Sequence, residues 1–250
     1  MGSRNRQDAR LNVAEPVVHR WTASDGVDLA YRETGTGRPV VLLHGLFSDP
    51  DMNWIKFGHA ERIAAAGLRV IMPDLRAHGL SARPQEASLY PRGILARDLR
   101  ELIAHLGLSD FDLGGFSLGA RTTVEGVGEG LKPRRAILGG AGLQGLQQWE
   151  RRKLFFLEAI ARFDQVERGD PHWLTVQFMK SQKVDRIAAA HLLESFADAR
   201  LRAIREARSI MSSEVAAGKL CLSCHICVED AQGATLLTVP FSEALEISGL

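Results

Sequence analysis

Apolar residues along the first 140 positions follow two alternating spacings. Short continuous or alternating apolar runs predict strands at 17–26 and 27–35, around a Ser-Asp-Gly turn at 24–26, and at 38–45, 68–75, 111–117 and 135–140. Residues 55–66, 92–106 and the segment after Ser117 have the composition or spacing of helices. Strands that alternate with helices predict an α/β fold, with a mostly parallel sheet covered by helices on both faces.

The pattern changes after residue 145. Residues 146–218 are rich in helix formers and contain no convincing strand, which predicts inserted helices. A strand pattern returns at 219–228, and 244–250 predicts one more strand with no helix after it. We therefore expect an α/β core over 1–145, a helical cap over 146–200 and the C-terminal part of the core over 201–250.

Composition narrows the class of protein. The 250 residues carry a net charge of +1 and are 45% hydrophobic, which is ordinary for a globular protein and indicates no nucleic-acid partner. No apolar run approaches the roughly 18 residues of a membrane span, and the polar N-terminus lacks a signal-peptide core. These features predict a cytoplasmic protein without a membrane partner.

The segment Gly115-Phe-Ser117-Leu-Gly119 places a serine between two glycines, after a strand and before a helix. A nucleophilic serine needs small neighbours on such a turn, and the following helix directs free N–H groups at the reacting atom. The alternative is a glycine-rich turn whose serine only caps the helix. The context favours a nucleophile at Ser117.

Three segments resemble the α/β-hydrolase fold superfamily in order and spacing: "LLHGLFS" at 42–48, "PDLRAHGLSARP" at 73–84 and "GGFSLGA" at 114–120. The resemblance implies an α/β-hydrolase fold with a helical cap and an esterase-like serine hydrolase. It implies Ser117 as nucleophile and the backbone N–H groups of Leu46 and Leu118 as the oxyanion hole. Its supporting residues are His44, Gly45, Gly115 and Gly119. His78 would fix a neighbouring loop, with Asp74 and Arg76 as its hydrogen-bond partners.

The resemblance also implies an acid and a histidine after the cap. Asp230 is the expected acid, with Glu229 as the alternative, and its role would be to orient the imidazole of the base. Every histidine of the sequence precedes Asp230. Three explanations follow: a truncated or altered hydrolase, a pseudoenzyme that retains the fold, or a base from another position such as the cap.

Two further motifs compete with this interpretation. "CLSCH" at 221–225 has the pattern of haem attachment and offers zinc ligands, but along a strand Cys221 and Cys224 would face opposite sides. "GAGLQG" at 140–145 fits a dinucleotide fingerprint, with Glu158 or Asp164 as the ribose-binding acid. No second strand follows the glycine-rich motif, so we expect no cofactor. Because the cysteines would not converge along a strand, we also expect no metal.

The sequence thus predicts hydrolysis of a small carboxylic ester through an acyl-enzyme on Ser117. Cap aromatics such as Phe155, Phe156 and Phe178 would form core or line an apolar pocket for the ester. The alternatives are a non-catalytic ligand-binding protein on the same fold and a nucleotide-binding oxidoreductase.

Overall fold

The computed structural model describes residues 14–140, 149–196, 225–229 and 235–240. Six strands form one sheet in the order β1-β2-β4-β3-β5-β6. Their bounds are β1 Val17–Thr22, β2 Asp28–Thr34, β3 Arg38–Leu43, β4 Leu68–Asp74, β5 Asp112–Phe116 and β6 Arg135–Gly139. Strands β3 to β6 run parallel to one another. At one edge of the sheet β2 pairs antiparallel with β4, and β1 pairs antiparallel with β2. The predicted mostly parallel sheet is confirmed.

Helices cover both faces of the central strands, because alternate side chains of a strand point in opposite directions. Helix α1, His59–Ala65, packs on Val40, Leu42, Val70 and Met72. Helices α2, Ile94–His105, and α3, Leu118–Gly128, lie on the other face, where the core contains Val41, Leu43, Ile71 and Leu113. Burial on both faces explains why these strands are continuous apolar runs.

The helix predicted around 55–66 is confirmed as α1, His59–Ala65, which begins four residues later than expected. A separate π-helical turn, Asp51–Ile55, precedes it. Gly58 lies between them with φ 71°, a left-handed conformation that keeps the turn from continuing into α1.

Three helices follow the sheet in the predicted cap region: α4 Trp149–Ala161, α5 Trp173–Ser181 and α6 Arg186–Glu194. Ala159, Val166 and Val176 form a small cluster of their own. Met179 of α5 and Leu192 of α6 instead belong to the main core cluster, so these helices are packed onto the α/β core. The rest of the predicted helical segment, from 197 to 218, lies outside the described residues.

The C-terminal strands form a separate sheet. Strand β7, His225–Glu229, pairs antiparallel with β8, Thr235–Pro240, and neither pairs with β6 in the part of the chain that the structure describes. Strand β8 was not predicted, and the predicted strand at 244–250 lies outside the described residues. The assignment of 201–250 to the hydrolase core stays a prediction.

Candidate active site

Ser117 occupies the sharp turn between β5 and α3. Its backbone has φ 53° and ψ −107°, a strained conformation for a residue with a side chain. The Ser117 N–H donates a hydrogen bond of 2.8 Å to the carbonyl oxygen of Gly139, so the end of β6 holds the turn in place. The side chain of Ser117 remains partly exposed, which leaves Oγ accessible to a small molecule.

The two flanking glycines are required by close backbone contacts. A Cβ at Gly115 would lie 2.2 Å from the carbonyl carbon and oxygen of Gly119. A Cβ at Gly119 would lie 2.3 Å from the carbonyl oxygen of Leu43, on the neighbouring strand. The helix therefore begins directly against the sheet, and this contact explains the spacing of the two glycines around the serine.

The loop after β3 lies beside Ser117. A Cβ at Gly45 would be 3.6 Å from the Cβ of Ser117. The Gly45 N–H donates to Oδ1 of Asn53 at 2.8 Å, and the Phe47 N–H donates to Nε2 of His78 at 2.9 Å. These bonds fix the loop on both sides of Leu46.

Two N–H groups near Ser117 are left for a ligand. Within the described ranges, the backbone N–H groups of Leu46 and Leu118 have no hydrogen-bond partner, whereas those of Gly45, Phe47 and Ser117 each have one. The Leu118 N–H is also the first donor of α3, where an unpaired N–H is normal and the helix dipole favours negative charge. These are the two groups that the resemblance assigns to the oxyanion hole.

His44 and His78 are buried structural residues rather than candidate bases. Nε2 of His44 accepts from the Leu75 N–H at 3.0 Å, and its Nδ1 lies 2.8 Å from the Gly45 carbonyl oxygen. The Nδ1 of His78 lies 2.9 Å from the Arg76 carbonyl oxygen. Both ring nitrogens of each residue are therefore engaged.

Burial keeps both imidazoles neutral. It lowers the pKa of His44 well below the ordinary histidine value, and the neighbouring His78 lowers it further. Burial also lowers the pKa of His78 to about 4. Each ring can therefore donate from Nδ1 and accept at Nε2, which is the tautomer that the loop hydrogen bonds require.

The predicted partners of His78 are partly corrected. Arg76 does contact the ring, but through its carbonyl oxygen, and its guanidinium instead binds the Asp98 carboxylate with two bonds of 2.9 Å. Asp74 binds Arg32 at 3.0 Å instead of His78. Burial raises the pKa of Asp74 to about 6 despite the opposing effect of Arg32. Both carboxylates thus hold arginines that fix the loops around the site.

The other described histidines have different neighbours. His19 and His105 stack on Tyr31 and Trp21, His172 and His191 contact the rings of Phe155 and Tyr90, and His59 begins α1. No hydrogen bond joins Ser117 Oγ to any of these rings among the described residues. The structure therefore brings Ser117 and Leu118 beside the loop at Gly45 and Leu46, and no described histidine is hydrogen-bonded to Ser117 Oγ.

Several predicted features lie outside the described residues. These are Asp230, Cys221 and Cys224, and the glycine-rich segment after Gly140. Glu229 ends β7 and Cys227 lies within it, but their side chains are not described. In the described part of the chain, no group of three or more histidine, cysteine or acidic side chains could hold a metal ion. That part also contains no helix that is both long and apolar enough to cross a membrane.

Aromatic residues connect the cap helices to the loop beside Ser117. Phe156 of α4 packs edge to face on Phe47, with ring centroids 5.6 Å apart. Phe116, the residue before the nucleophile, is 44% exposed and lies against Gly45, Gly139 and Gly140. Apolar rings therefore lie on the loop beside Ser117, from Phe116 before it and from the cap through Phe156.

Sequence reasoning did not identify Asn53 or the Gly139 carbonyl, the two groups that fix the backbone at Gly45 and Ser117. Asn53 lies in the π-helical turn, and its role depends on a contact across the loop that no local pattern encodes. The Gly139 carbonyl is a backbone group, which a sequence motif does not mark.

Comparison with known proteins gives two family matches in different parts of the chain. The profile of the α/β-hydrolase fold family matches residues 38–125, which include the loop at Gly45 and the nucleophile turn. A second profile, a domain of unknown function (DUF6894), matches residues 188–242. The second match begins within α6 and includes the β7–β8 hairpin.

Curated relatives match the first of these parts. An epoxide hydrolase from Caballeronia sordidicola is 39% identical over 98 residues, which cover 39% of this chain and 29% of that protein. A non-heme haloperoxidase from Rhodococcus erythropolis is 38% identical over 100 residues, covering 39% of this chain and 34% of that protein. The chain thus spans about a third of the length of these relatives.

A solved esterase from Exiguobacterium antarcticum has a similar fold over a longer stretch. The TM-score is 0.53 at 21% identity, with 74% of this chain and 76% of the esterase covered. At this identity the likeness concerns the fold alone. The described sheet and helices thus have the α/β-hydrolase fold, and residues 38–125 are similar in sequence to the α/β-hydrolase fold family.

Proposed function

We propose that this chain is a serine hydrolase that uses Ser117 as its nucleophile, and that its substrate is a small, apolar carboxylic ester. The observation that carries the proposal is the backbone of Ser117. A residue with a side chain adopts φ 53° and ψ −107° only where the surrounding structure enforces it. This strained backbone would serve catalysis by presenting Ser117 Oγ beside the N–H groups of Leu46 and Leu118.

The proposed reaction follows from this geometry. Oγ of Ser117 attacks the ester carbonyl carbon, and the carbonyl electron pair moves onto its oxygen. The N–H groups of Leu46 and Leu118 would stabilise that oxyanion, each by roughly 3–4 kcal/mol. Collapse of the intermediate breaks the ester C–O bond, and the proton lost from Ser117 Oγ is transferred to the departing alcohol oxygen. Water then attacks the acyl group on Ser117, releases the carboxylic acid and returns a proton to Oγ.

The substrate class is proposed from the surroundings of the serine. Phe116 beside Gly45 and Phe156 above Phe47 offer apolar contacts, whereas His44 and His78 are neutral and buried. An epoxide hydrolase and an esterase among the similar proteins support hydrolysis as the reaction type.

The base and the acid are the open part of the proposal. Asp230 remains the proposed acid, which would orient an imidazole, but the proposal assigns no histidine as base. Loss of such a base lowers kcat by several orders of magnitude in serine hydrolases. A non-catalytic ligand-binding protein is therefore the second candidate, supported by the absence of a hydrogen bond between Ser117 Oγ and any described histidine.

A fluorophosphonate probe tests the nucleophile directly, because it forms a covalent bond only with an activated serine. We expect the purified chain to be labelled, Ser117→Ala to abolish labelling and Ser181→Ala, which changes an exposed cap serine, to leave it unchanged. Unlabelled chain with a native circular dichroism spectrum would contradict an activated Ser117.

Turnover of a p-nitrophenyl ester then separates the two candidates. Labelling together with Ser117-dependent turnover supports a complete hydrolase. Binding of the ester without labelling or turnover supports the non-catalytic alternative.

A further inference from the structure

The loop beside Ser117 contains a tight turn with an unusual residue in it. The Ser48 N–H donates to the Gly45 carbonyl oxygen at 3.2 Å. This bond closes a turn whose two central residues are Leu46 and Phe47. Phe47, the third residue of the turn, has φ 59°, and a positive φ at this position is typical of type II turns, in which glycine is usual. A phenylalanine adopts this conformation only if its surroundings hold it there.

The turn helps to set the direction of the Leu46 N–H. The Gly45 carbonyl and the Leu46 N–H belong to one planar trans peptide, so they point in opposite directions. The carbonyl oxygen is bound by the Ser48 N–H and lies 2.8 Å from Nδ1 of His44. The Leu46 N–H therefore points away from both groups. If Phe47 left its left-handed conformation, the turn would open and one of the two bonds that orient this peptide would be lost.

Contacts from the core and from the cap hold Phe47. On the core side its N–H donates to Nε2 of His78 at 2.9 Å, and the residue is only 3% exposed. On the cap side the ring of Phe156 packs edge to face on the Phe47 ring, with centroids 5.6 Å apart. The segment between α5 and α6 also reaches this position, since Val184 lines a small cavity together with Phe47 and His78. The cap thus adjoins the turn at two places.

Phe156 lies on a helix that is itself fixed. Leu157 and Ile160 of α4 pack, like Phe156, against the main core cluster. The ring of Phe155 packs edge to face on that of Phe156, with centroids 5.6 Å apart. Aromatic pairs prefer this geometry, which gives the contact between Phe156 and Phe47 a defined direction. Phe156 is therefore a firm support for the turn.

We infer that Phe156 is a positioning residue of the proposed reaction. Through its contact with Phe47 it keeps the turn closed, and the closed turn directs the Leu46 N–H toward the oxyanion. This role rests on the proposed function of Ser117 and gives the cap a part in the bond-forming step. A residue that only lined the substrate pocket would change binding, whereas a positioning residue changes the rate of bond formation.

Labelling kinetics with the fluorophosphonate probe test this role on the purified full chain. Phe156→Leu should lower the maximal labelling rate by about 10-fold or more, with little change in the probe concentration that gives half of that rate. The matched control Phe163→Leu changes a cap ring that contacts the cations of Lys180 and Arg186, and it should leave both values unchanged. An unchanged maximal rate in Phe156→Leu, or equal slowing by the two variants, overturns the inference.

A double-mutant cycle tests whether Phe156 acts through Phe47. Phe47→Leu should also slow labelling, because it removes the other ring of the same contact. Adding Phe156→Leu to Phe47→Leu should slow labelling further by less than about twofold, since the contact is already lost. Independent effects, which multiply in the double variant, overturn the inference.

Hydrogen exchange distinguishes failure of this role from failure of the proposed function, because it does not require an active serine. The Phe47 amide is bonded to His78, and Phe156→Leu should speed its exchange by about 10-fold or more relative to the amides of β3. Unchanged exchange of the Phe47 amide overturns the inference even if Ser117 is labelled. If the unsubstituted protein is not labelled but the Phe47 amide responds to Phe156→Leu, the proposed function fails, while the support of the turn by Phe156 is confirmed.

Discussion

Residues 38–125 and residues 188–242 match different families, and their strands lie in different sheets. The first region supplies β3, β4 and β5, the helices around them and Ser117 with the loop at Gly45, while the Gly139 carbonyl that binds the Ser117 N–H follows it on β6. The second contributes α6 to the core, but its two strands pair only with each other among the described residues. The proposed nucleophile Ser117 thus belongs to the first region, whereas the predicted acid Asp230 belongs to the second.

This difference separates two kinds of inference from a fold. The turn at Ser117 is held by close contacts of Gly115 and Gly119 within its own region and by the Gly139 carbonyl on the neighbouring strand β6. Asp230 was predicted only from its position after a strand. Strand β7, which precedes Asp230, pairs in a separate antiparallel hairpin. Its position therefore supports the assignment of the acid less strongly than a strand of the main parallel sheet would.

The largest expected effect is at the turn of the first region. We expect Gly115→Ala to lower the free energy of unfolding by about 4 kcal/mol or more, because its Cβ would lie 2.2 Å from the Gly119 backbone. Gly128→Ala, at the end of the same helix, meets nothing within 4 Å and should be neutral or slightly stabilising. Urea unfolding followed by tryptophan fluorescence measures both. Similar effects of the two alanines would show that the turn is not tightly enforced.

A second prediction locates the structural border between the regions. Leu192 lies within the second family match, yet it is fully buried in the main core. Leu192→Ala should therefore lower the free energy of unfolding by about 3 kcal/mol. Ile187→Ala, on the same helix but 50% exposed, should change it by less than about 0.5 kcal/mol. If Leu192→Ala had no effect in the same urea measurement, α6 would belong with the hairpin instead of the core.

The sequence predicted the first region well for physical reasons. Strands buried on both faces require continuous apolar runs such as 40–43, and the glycines around Ser117 are required by backbone contacts that leave no room for a Cβ. Asn53 was missed because its bond to the Gly45 N–H crosses an irregular loop. The later start of α1 was also missed, because periodicity does not reveal the single left-handed residue, Gly58, before it.

The second region was harder to predict from its sequence. Residues 235–240 and 244–250 are both short apolar runs, and the resemblance favoured the later one as the last strand. The structure has its strand at the earlier run, paired antiparallel with β7. Local patterning predicts that a strand exists but does not specify its partner, since pairing depends on the rest of the fold.

A third prediction concerns the loop beside Ser117. The folded-state pKa of His78, about 4, lies below that of an unfolded histidine, so the folded state binds fewer protons and loses stability as the pH falls from 6.5 toward 4. This loss is about 2 kcal/mol by pH 5. His78→Gln keeps an acceptor for the Phe47 N–H but cannot be protonated. Its unfolding free energy should therefore fall about 2 kcal/mol less between pH 7 and pH 5 than that of the unchanged protein.

The carboxylates with raised pKa values act in the opposite direction over the same pH range, since burial raises the pKa of Asp74 and Asp98 to about 6 each. Both groups are present in the two proteins and cancel in the difference. Urea titrations at several pH values measure it. Identical pH dependence of the two proteins would show that folding does not lower the pKa of His78.

The smallest expected effect lies just before the second family match, at the beginning of α6. Asp185 caps this helix, and its Oδ1 accepts from the Ile187 and Ala188 N–H groups at 3.0 Å each. Asp185→Ala should lower the free energy of unfolding by about 1 kcal/mol, because two helix donors lose their partner. Asp164→Ala removes only an exposed ion pair with Arg186 and should cost less than about 0.5 kcal/mol. Because α6 packs into the core, loss of its cap should reduce the stability of the whole α/β core. An equal cost for the two variants, or unfolding of α6 separately from the core in hydrogen exchange, would instead place the structural border before residue 185.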